Sequence, residues 1–312
     1  MAIVAGKGGV GKTTVSAALA RAAALAGLST LVIEVEGKSG LPAMFGADRL
    51  GYEEVVLSSG GSLDGTADVR ARTITPDEAL LEYLRDHGLS RISKRLVSSG
   101  ALDVVATAAP GIKDILLLGK VKQLERGGSA DLIVLDAPAA GHAITFLQSA
   151  RGLLDAVRVG PIQAQARDVL ELLEDHRRCQ VILVTVPEET PVNEAIETAY
   201  SLEDRVGVGL GPIVVNGVYP DLGDLDVDPA VAAHAAEVTL RPGEAAVLAD
   251  AAAFRRMRTQ LQHDQVERLR AELPLPQLRV PFLFTASVGP VEVDELAQVM
   301  LSEIAALSGL PL

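Results

Sequence analysis

The stretch that decides the fold of this chain is Gly6 to Thr14, which reads GKGGVGKTT. It matches the phosphate-binding pattern G-x-x-x-x-G-K-[ST] at four fixed positions: Gly6, Gly11, Lys12 and Thr13. A short apolar stretch, Ala2 to Ala5, comes directly before it, and a helical pattern, Thr13 to Ala26, follows it. The sequence therefore predicts a strand, a glycine-rich loop and a helix in that order, which is the context in which this pattern holds phosphate.

The residue types in this loop suit the binding of a nucleotide. Glycines let successive backbone N–H groups turn inward as an anion-binding nest, and the following helix has its positive dipole end at the same place. Lys12 is expected to reach the β and γ phosphates, and the Thr13 hydroxyl to ligate Mg²⁺. The predicted nucleotide-binding residues of the loop are Gly8, Gly9, Val10, Gly11, Lys12, Thr13 and Thr14.

Beyond the loop, strand patterns alternate with longer helical patterns. Strands are predicted at Thr30–Val35, Asp68–Thr75, Asp131–Leu135, Gln180–Val186, Pro212–Asn216 and Leu278–Phe282. Such alternation is typical of an α/β fold, here a P-loop NTPase whose mostly parallel sheet has helices on both faces. The chain is predicted to be one such domain over residues 1–312.

Two regions depart from the simple alternation. Helical periodicity dominates from Pro76 to Arg126, which predicts a helical insertion at roughly residues 76–128. From Asp48 to Thr75 the pattern indicates a strand at Asp68 to Thr75, and the rest is expected to be irregular.

Composition limits the partners that the protein can bind. The 312 residues carry a net charge of −13, and aromatic residues make up 3% with no Trp. A negative chain is repelled by nucleic acid and by anionic lipid, and scarce aromatics leave few surfaces on which bases can stack. We therefore expect no nucleic-acid partner.

Cysteine usage and hydropathy indicate the compartment. Cys179 is the only cysteine, so neither an internal disulfide nor a Cys-x-x-Cys metal site can form. The chain has no secretory leader pattern and no apolar run of about 18 residues. These features predict a cytoplasmic protein with no stable membrane insertion.

The second lysine of the loop, Lys7, makes the predicted class of nucleotide-binding protein more specific. Lys7 points away from the phosphate cradle of its own loop, and on its own it would be read as a solvated surface cation. GKGGVGKTT as a unit, however, resembles the deviant Walker A motif of the superfamily that contains ParA, MinD, ArsA and the nitrogenase iron protein. The resemblance implies an ATP-dependent dimer in which Lys7 reaches the phosphates held by the other subunit, in the manner of an arginine finger.

A second segment points to one branch of that superfamily. Asp136-Ala-Pro-Ala-Ala-Gly-His142 resembles the D-T-A-P-T-G-H signature of the ArsA and tail-anchored-protein-targeting ATPases. The resemblance makes Asp136 the Walker B aspartate that holds Mg²⁺ through water, and the residues after it switch II, which senses the γ phosphate. Ala137 and Ala140 replace two threonines of the signature, so a differently tuned switch is expected.

The resemblance also assigns a residue that orients the attacking water. Aligning Leu31 to Gly46 with the switch I segment D-P-A-H of that family places Glu36 at its aspartate. The three residues after Glu36 differ from the family pattern, so Glu36 also stands as a strand-end surface glutamate. Glu34 is the less favoured substitute.

Two late segments resemble the family's adenine pocket. Asn216 stands in a V-V-N context, where an amide can pair with the edge of adenine, although Asn-Gly is also a turn dipeptide. Val280-Pro281-Phe282-Leu283 resembles the loop that packs on the other face of the base. Pro281 and Phe282 are therefore further candidate nucleotide-binding residues.

The same resemblance implies a dimeric, Mg²⁺-dependent ATPase that handles a protein or small-molecule client. The chain contains a single ATPase unit of this type, so the resemblance implies that it pairs with a second unit, either as a homodimer or as a heterodimer with a paralogous ATPase. One cysteine cannot supply the thiolates that bind arsenite, nor a paired-cysteine zinc clasp. The client is unknown, and a membrane protein is one option, with the helical stretch Ala79 to Leu118 as either a client groove or core.

Two other functions remain open. One is a ParA- or MinD-like positioning ATPase, which needs a basic surface, whereas the amphipathic C-terminal stretch Val291 to Leu312 has no Lys or Arg. The other is a nucleotide-binding regulatory subunit with little hydrolysis, because Glu36 and switch II depart from the family pattern.

Overall fold

The computed structural model of the protein describes residues 1–35, 40–61, 65–86, 111–138, 140–158 and 160–308. Within these residues, nine strands form one sheet, in the order β3-β4-β2-β5-β1-β6-β8-β9, with the short β7 paired to β6. The strands are β1 Ala2–Gly6, β2 Thr30–Val35, β3 Val55–Ser58, β4 Val69–Ile74, β5 Leu132–Asp136, β6 Gln180–Thr185, β7 Gly209–Leu210, β8 Ile213–Val218 and β9 Gln277–Pro281.

Every pairing in this sheet is parallel except that of β3 with β4. The predicted α/β class with a mostly parallel sheet is therefore confirmed. The described helices are α1 Lys12–Leu25, α2 Leu41–Met44, α3 Pro76–Asp86, α4 Ile112–Gly127, α5 Ala140–Ala156, α6 Pro161–Glu174, α7 Glu189–Val206, α8 Pro229–Ala235, α9 Glu244–Glu272 and α10 Pro290–Ser308.

Apolar side chains on the two faces of the sheet form two cores. Neighbouring strand residues point to opposite faces, so Ile3 and Ile33 join one core while Val4 and Val32 join the other. The first core is covered by residues of α4, α5, α6 and α7, together with the C-terminal part of α9. The second is covered by α1 and α10, which pack against each other.

The sequence placed most strands to within two residues, and it missed two, the two-residue β7 and the edge strand β3. Val55–Ser58, in a region expected to be irregular, is an antiparallel edge strand on β4. Its first two residues, Val55 and Val56, are 40% and 52% exposed, so the strand lacks the buried alternation by which strands are recognised. Of the predicted helical insertion, α3 and α4 are described, while residues 87–110 lie outside the described residues.

Parallel strands bring the candidate site residues to one edge. The C-terminal ends of β1, β5 and β2 are neighbours, with Val4 opposite Asp136 and Asp136 opposite Glu34. The loop that follows β1 therefore lies beside the carboxylate that ends β5. Ligands of α/β proteins bind at this edge of the sheet. In the part of the chain that the structure describes, no helix combines the length and apolarity needed to cross a membrane.

Candidate nucleotide-binding site

The loop between β1 and α1 is shaped for an anion. Gly9 and Gly11 both have φ of +88°, in the left-handed region that glycine adopts without strain. Gly11 precedes the first residue of α1, and among the described residues no side chain caps this helix end. The first turn of α1 contains no acidic residue. Its N–H groups and its positive dipole end are therefore open to a negatively charged ligand.

Asp136 is held by two hydroxyl groups of α1. Thr13 Oγ1 donates to Asp136 Oδ2 at 2.8 Å, and Ser16 Oγ donates to Asp136 Oδ1 at 3.1 Å. Burial raises the pKa of Asp136, while these two hydrogen bonds and the charge of Lys12 act in the opposite direction. Thr13 and Asp136 are thus brought together as predicted. Ser16 was missed, although its position three residues after Thr13, on the same face of the helix, could have revealed it.

The loop lysine Lys12 lies over its own loop. Its Nζ donates to the backbone carbonyl of Lys7 at 2.9 Å. Burial lowers the pKa of Lys12, and the nearby Asp136 carboxylate partly opposes that shift. The ammonium group is therefore partly desolvated and lies at the N-terminal start of α1, where it is able to neutralise the charge of a phosphate.

Lys7 forms an ion pair within the chain. Its Nζ contacts Glu194 Oε1 on α7, and the two side chains are 45% and 35% exposed. The Lys7 ammonium is thus paired with a residue of its own chain, and it is still accessible to solvent. Such an exposed ion pair contributes little to stability, because water competes with it.

Of the two candidate glutamates at the end of β2, the structure describes Glu34. Glu36, the residue expected to orient water, lies outside the described residues. Glu34 is 3% exposed and accepts a hydrogen bond from Thr73 Oγ1 at 2.7 Å. Its negative charge is among the influences that raise the pKa of Asp136, so the two carboxylates are close enough to interact. The predicted switch II segment is described only in part, since Ala139 lies outside the described residues.

The residues predicted to bind adenine line one pocket. A cavity of about 370 Å³ is bordered by Thr14, Asn216, Pro281 and Phe282, among others. Asn216 Nδ2 donates to the backbone carbonyl of Val10 at 2.9 Å, so the amide is attached to the phosphate-binding loop. The pocket wall and the loop are therefore one connected unit.

Aromatic residues are gathered beside this pocket. Phe282 lies edge-on to Tyr219 at 5.3 Å between ring centroids, and to Phe284 at 4.8 Å. The Arg255 guanidinium stacks over Tyr219, 4.1 Å from the ring centroid. This cluster was not predicted from the sequence, where the four residues are spread over 66 positions and show no shared motif.

The donor set fits Mg²⁺ and a nucleotide. Hydroxyl and carboxylate oxygens are the ligands that Mg²⁺ takes, and this ion usually keeps several waters and binds through one or two protein groups plus phosphates. Thr13 and Asp136 supply that number. Among the described residues no cluster of three His, Cys, Asp or Glu side chains forms a separate metal cage.

Several known ATPases are similar to this chain in amino-acid sequence. ATPase BagA of Mycobacterium tuberculosis is 34% identical over 242 residues, which are 75% of this chain and 68% of that protein. A protein of Halobacterium salinarum named as an arsenical pump-driving ATPase is 28% identical, over 70% of this chain and 36% of its own length. ATPase GET3 of Pyricularia oryzae is 30% identical, over 46% of this chain and 41% of its own.

The sequence profile of one family covers the phosphate-binding loop, the Asp136 strand and the segment after it. It matches residues 1–160, more than half of the 312 residues. Together with the identity to ATPase BagA over three quarters of the chain, this match shows that the chain belongs to the anion-transporting ATPase family.

Proposed function

We propose that the protein is a cytoplasmic, Mg²⁺-dependent ATPase that works as a dimer and uses ATP binding and hydrolysis to change the conformation in which it holds a client. The observation that carries the proposal is the contact of Thr13 and Ser16 with Asp136 at the uncapped start of α1. When bound there, Mg²⁺ would neutralise charge on the phosphates of ATP.

The chain's own residues have distinct roles in this proposal. The loop N–H groups and Lys12 hold the phosphates, Thr13 and Asp136 hold the metal, and the pocket beside Asn216 takes the base. Lys7 acts on the nucleotide of the second subunit. That role requires it to leave Glu194, which costs little because both side chains are partly exposed.

The positioning-ATPase alternative has less support. The C-terminal helix α10 places Val293, Leu296 and Met300 in the core beneath it, each no more than 2% exposed. Its apolar face is therefore used for packing on α1 and is not free to enter a lipid surface.

The test is steady-state ATP hydrolysis as a function of protein concentration. We expect turnover with Mg²⁺ that rises more steeply than linearly with protein concentration, and that Lys12→Ala abolishes. Arg270→Ala, which removes an exposed cation of α9, is the matched control and should retain wild-type turnover. Tight ATP binding without turnover would instead favour the regulatory-subunit function, and absence of ATP binding would refute both.

A further inference from the structure

One buried glutamine of α9 connects this helix to the strand that ends at the cavity beside Asn216. Gln262 is 6% exposed. The buried residues that follow it on the same helix, Val266 and Leu269, are apolar and belong to the core. Burying a glutamine side chain costs free energy unless both of its polar ends find partners. The partners of Gln262 therefore indicate what this residue does.

Both ends of the Gln262 side chain bind the main chain of one short segment. Its Oε1 accepts from the Tyr219 N–H at 2.8 Å, and its Nε2 donates to the Gly217 carbonyl at 3.1 Å. These two groups lie on either side of Val218, the last residue of β8. A single amide thus fixes the main chain at the point where it leaves the sheet.

The segment that this amide holds contains a β-bulge. Asn216 and Val218 of β8 are opposite two consecutive residues of β9, Val280 and Pro281, so Gly217 is an extra residue. Gly217 has φ of +74°, which glycine adopts without strain. An extra residue disrupts the ladder locally and leaves its own main-chain groups unpaired. The buried amide supplies the partner for the carbonyl of this extra residue.

The bulge decides which side chains face the cavity. Before it, Val214 points to the core beneath α1 and Val215 to the opposite core. Regular alternation would turn Val218 towards α1 as well, but Val218 packs against the opposite core. Tyr219 is therefore the next side chain on the α1 side, where its ring lies 5.3 Å from that of Phe282 between centroids.

The same segment holds the main chain of Phe282. The Phe282 N–H donates to the Val218 carbonyl at 2.8 Å. Because Gln262 binds the residues on either side of Val218, it fixes the direction of that carbonyl. Phe282 borders the cavity at Asn216, so the position of this part of the cavity wall depends on the Gln262 amide.

A guanidinium on the same side of α9 supports the aromatic residues. Arg255 precedes Gln262 by seven residues, which is close to two helical turns. It stacks on the Tyr219 ring at 4.1 Å from the centroid, and it donates to the Pro220 carbonyl at 3.0 Å. Two side chains of α9 thus hold the end of β8, Arg255 through an aromatic ring and Gln262 through the main chain.

We propose that Gln262 is a positioning residue for base binding: by holding the bulge at Gly217, it places Phe282 against the base of the nucleotide. The proposal rests on the proposed function, because it assumes that the cavity at Asn216 takes the base. It predicts that Gln262 contributes to the preference for ATP over a bare triphosphate. A role limited to stability would lower the free energy of unfolding and leave this preference unchanged.

The test compares the binding of ATP and of inorganic tripolyphosphate to the full chain by calorimetry, both with Mg²⁺. Tripolyphosphate carries phosphate charge and no base, so the ratio of the two affinities measures the contribution of the cavity. Gln262→Met keeps an unbranched side chain and removes both hydrogen bonds. We expect it to lower the ratio at least fivefold while the affinity for tripolyphosphate stays within twofold of the wild type. Gln260→Met, the same change at an exposed position of α9, should leave the ratio unchanged.

The outcomes distinguish this proposal from the proposed function. A ratio in Gln262→Met equal to that of the wild type would overturn the role of Gln262, and so would an equal loss of affinity for both ligands. If the wild type binds tripolyphosphate as tightly as ATP, the assignment of the cavity to the base is refuted, and the role of Gln262 falls with it.

Two further variants show how the amide acts. In a Phe282→Ala background, Gln262→Met should lower the ratio less than twofold, since the wall that Gln262 positions is already absent. A full fivefold loss in that background would overturn the proposal. Gln262→Glu keeps the acceptor for Tyr219 and removes the donor to Gly217, so it should lower the ratio by a smaller factor. If circular dichroism shows that Gln262→Met is unfolded, Gln262→Glu decides, and a ratio equal to that of the wild type would overturn the proposal.

Discussion

A series of glycine substitutions in the phosphate-binding loop separates backbone strain from side-chain contact. At Gly8, which lacks a positive φ, an added Cβ would meet nothing within 4 Å. At Gly9 the space is equally open but φ is +88°. At Gly11, φ is again +88°, and an added Cβ would lie 2.3 Å from Asn216 Nδ2. Substitution by Ala therefore adds one unfavourable effect at a time along the three positions.

The magnitudes follow from these geometries. A left-handed conformation costs an L-residue about 1–2 kcal/mol, so Gly9→Ala should lower the free energy of unfolding by that amount. Gly11→Ala should also displace the Asn216 side chain from the Val10 carbonyl, a hydrogen bond that contributes about 0.5–1.5 kcal/mol. We expect a total loss of about 1.5–3.5 kcal/mol at Gly11. Gly8→Ala should change stability by less than about 0.5 kcal/mol.

Urea denaturation of the four proteins measures these differences, and the double variant Gly11→Ala/Asn216→Ala tests their origin. Because the amide contact is already absent in Asn216→Ala, adding Gly11→Ala should cost about 0.5–1.5 kcal/mol less than it does in the wild type. Equal destabilisation by Gly8→Ala and Gly11→Ala would refute the reasoning, as would strict additivity of the Gly11 and Asn216 substitutions.

Three further predictions concern ligand binding and dimerisation. Burial raises the pKa of Asp136, so this carboxylate is protonated at a higher pH than that of an exposed aspartate. Calorimetry should therefore show the Mg²⁺-dependent affinity for ATP falling as the pH is lowered towards that raised pKa, and Asp136→Asn should remove the Mg²⁺ dependence at every pH. Glu194→Gln should free Lys7 from an exposed pair that contributes about 0.2–1 kcal/mol, and so strengthen nucleotide-dependent dimerisation by up to about fivefold in light scattering, with no gain contradicting the proposed role of Lys7. Phe282→Ala should weaken ATP binding by roughly tenfold through loss of stacking on the base, and an unchanged affinity in a fluorescent-nucleotide titration would exclude Phe282 from the pocket's function.

Much of the nucleotide site is local in sequence, which is why it could be predicted. Gly6 to Thr14 carries its own strand, loop and helix signals, and Asp136 ends an apolar strand, so pattern alone predicted both ends of the Thr13–Asp136 contact. Parallel strand order then brings them together, because strands alternating with helices place their C-terminal ends at one edge. Ser16 was within reach of the same reasoning.

Other features depend on residues that are distant in sequence. Lys7 and Glu194 are separated by 187 positions, and nothing local to either predicts their ion pair. The aromatic cluster beside the cavity at Asn216 and the attachment of Asn216 to Val10 likewise result from strand order and helix packing. The edge strand Val55–Ser58 escaped prediction because one exposed face and one neighbour leave a weak pattern.

The sequence by itself determined the fold class, the phosphate-binding loop and the strand-end aspartate, because each is specified by a short pattern of residue types with a fixed local geometry. The tertiary structure alone decided which side chains meet across that framework and which apolar residues remain uncovered. The aromatic cluster illustrates the difference: Tyr219, Phe282 and Phe284 share no motif in the sequence, and only the packing of the strands and helices brings their rings together.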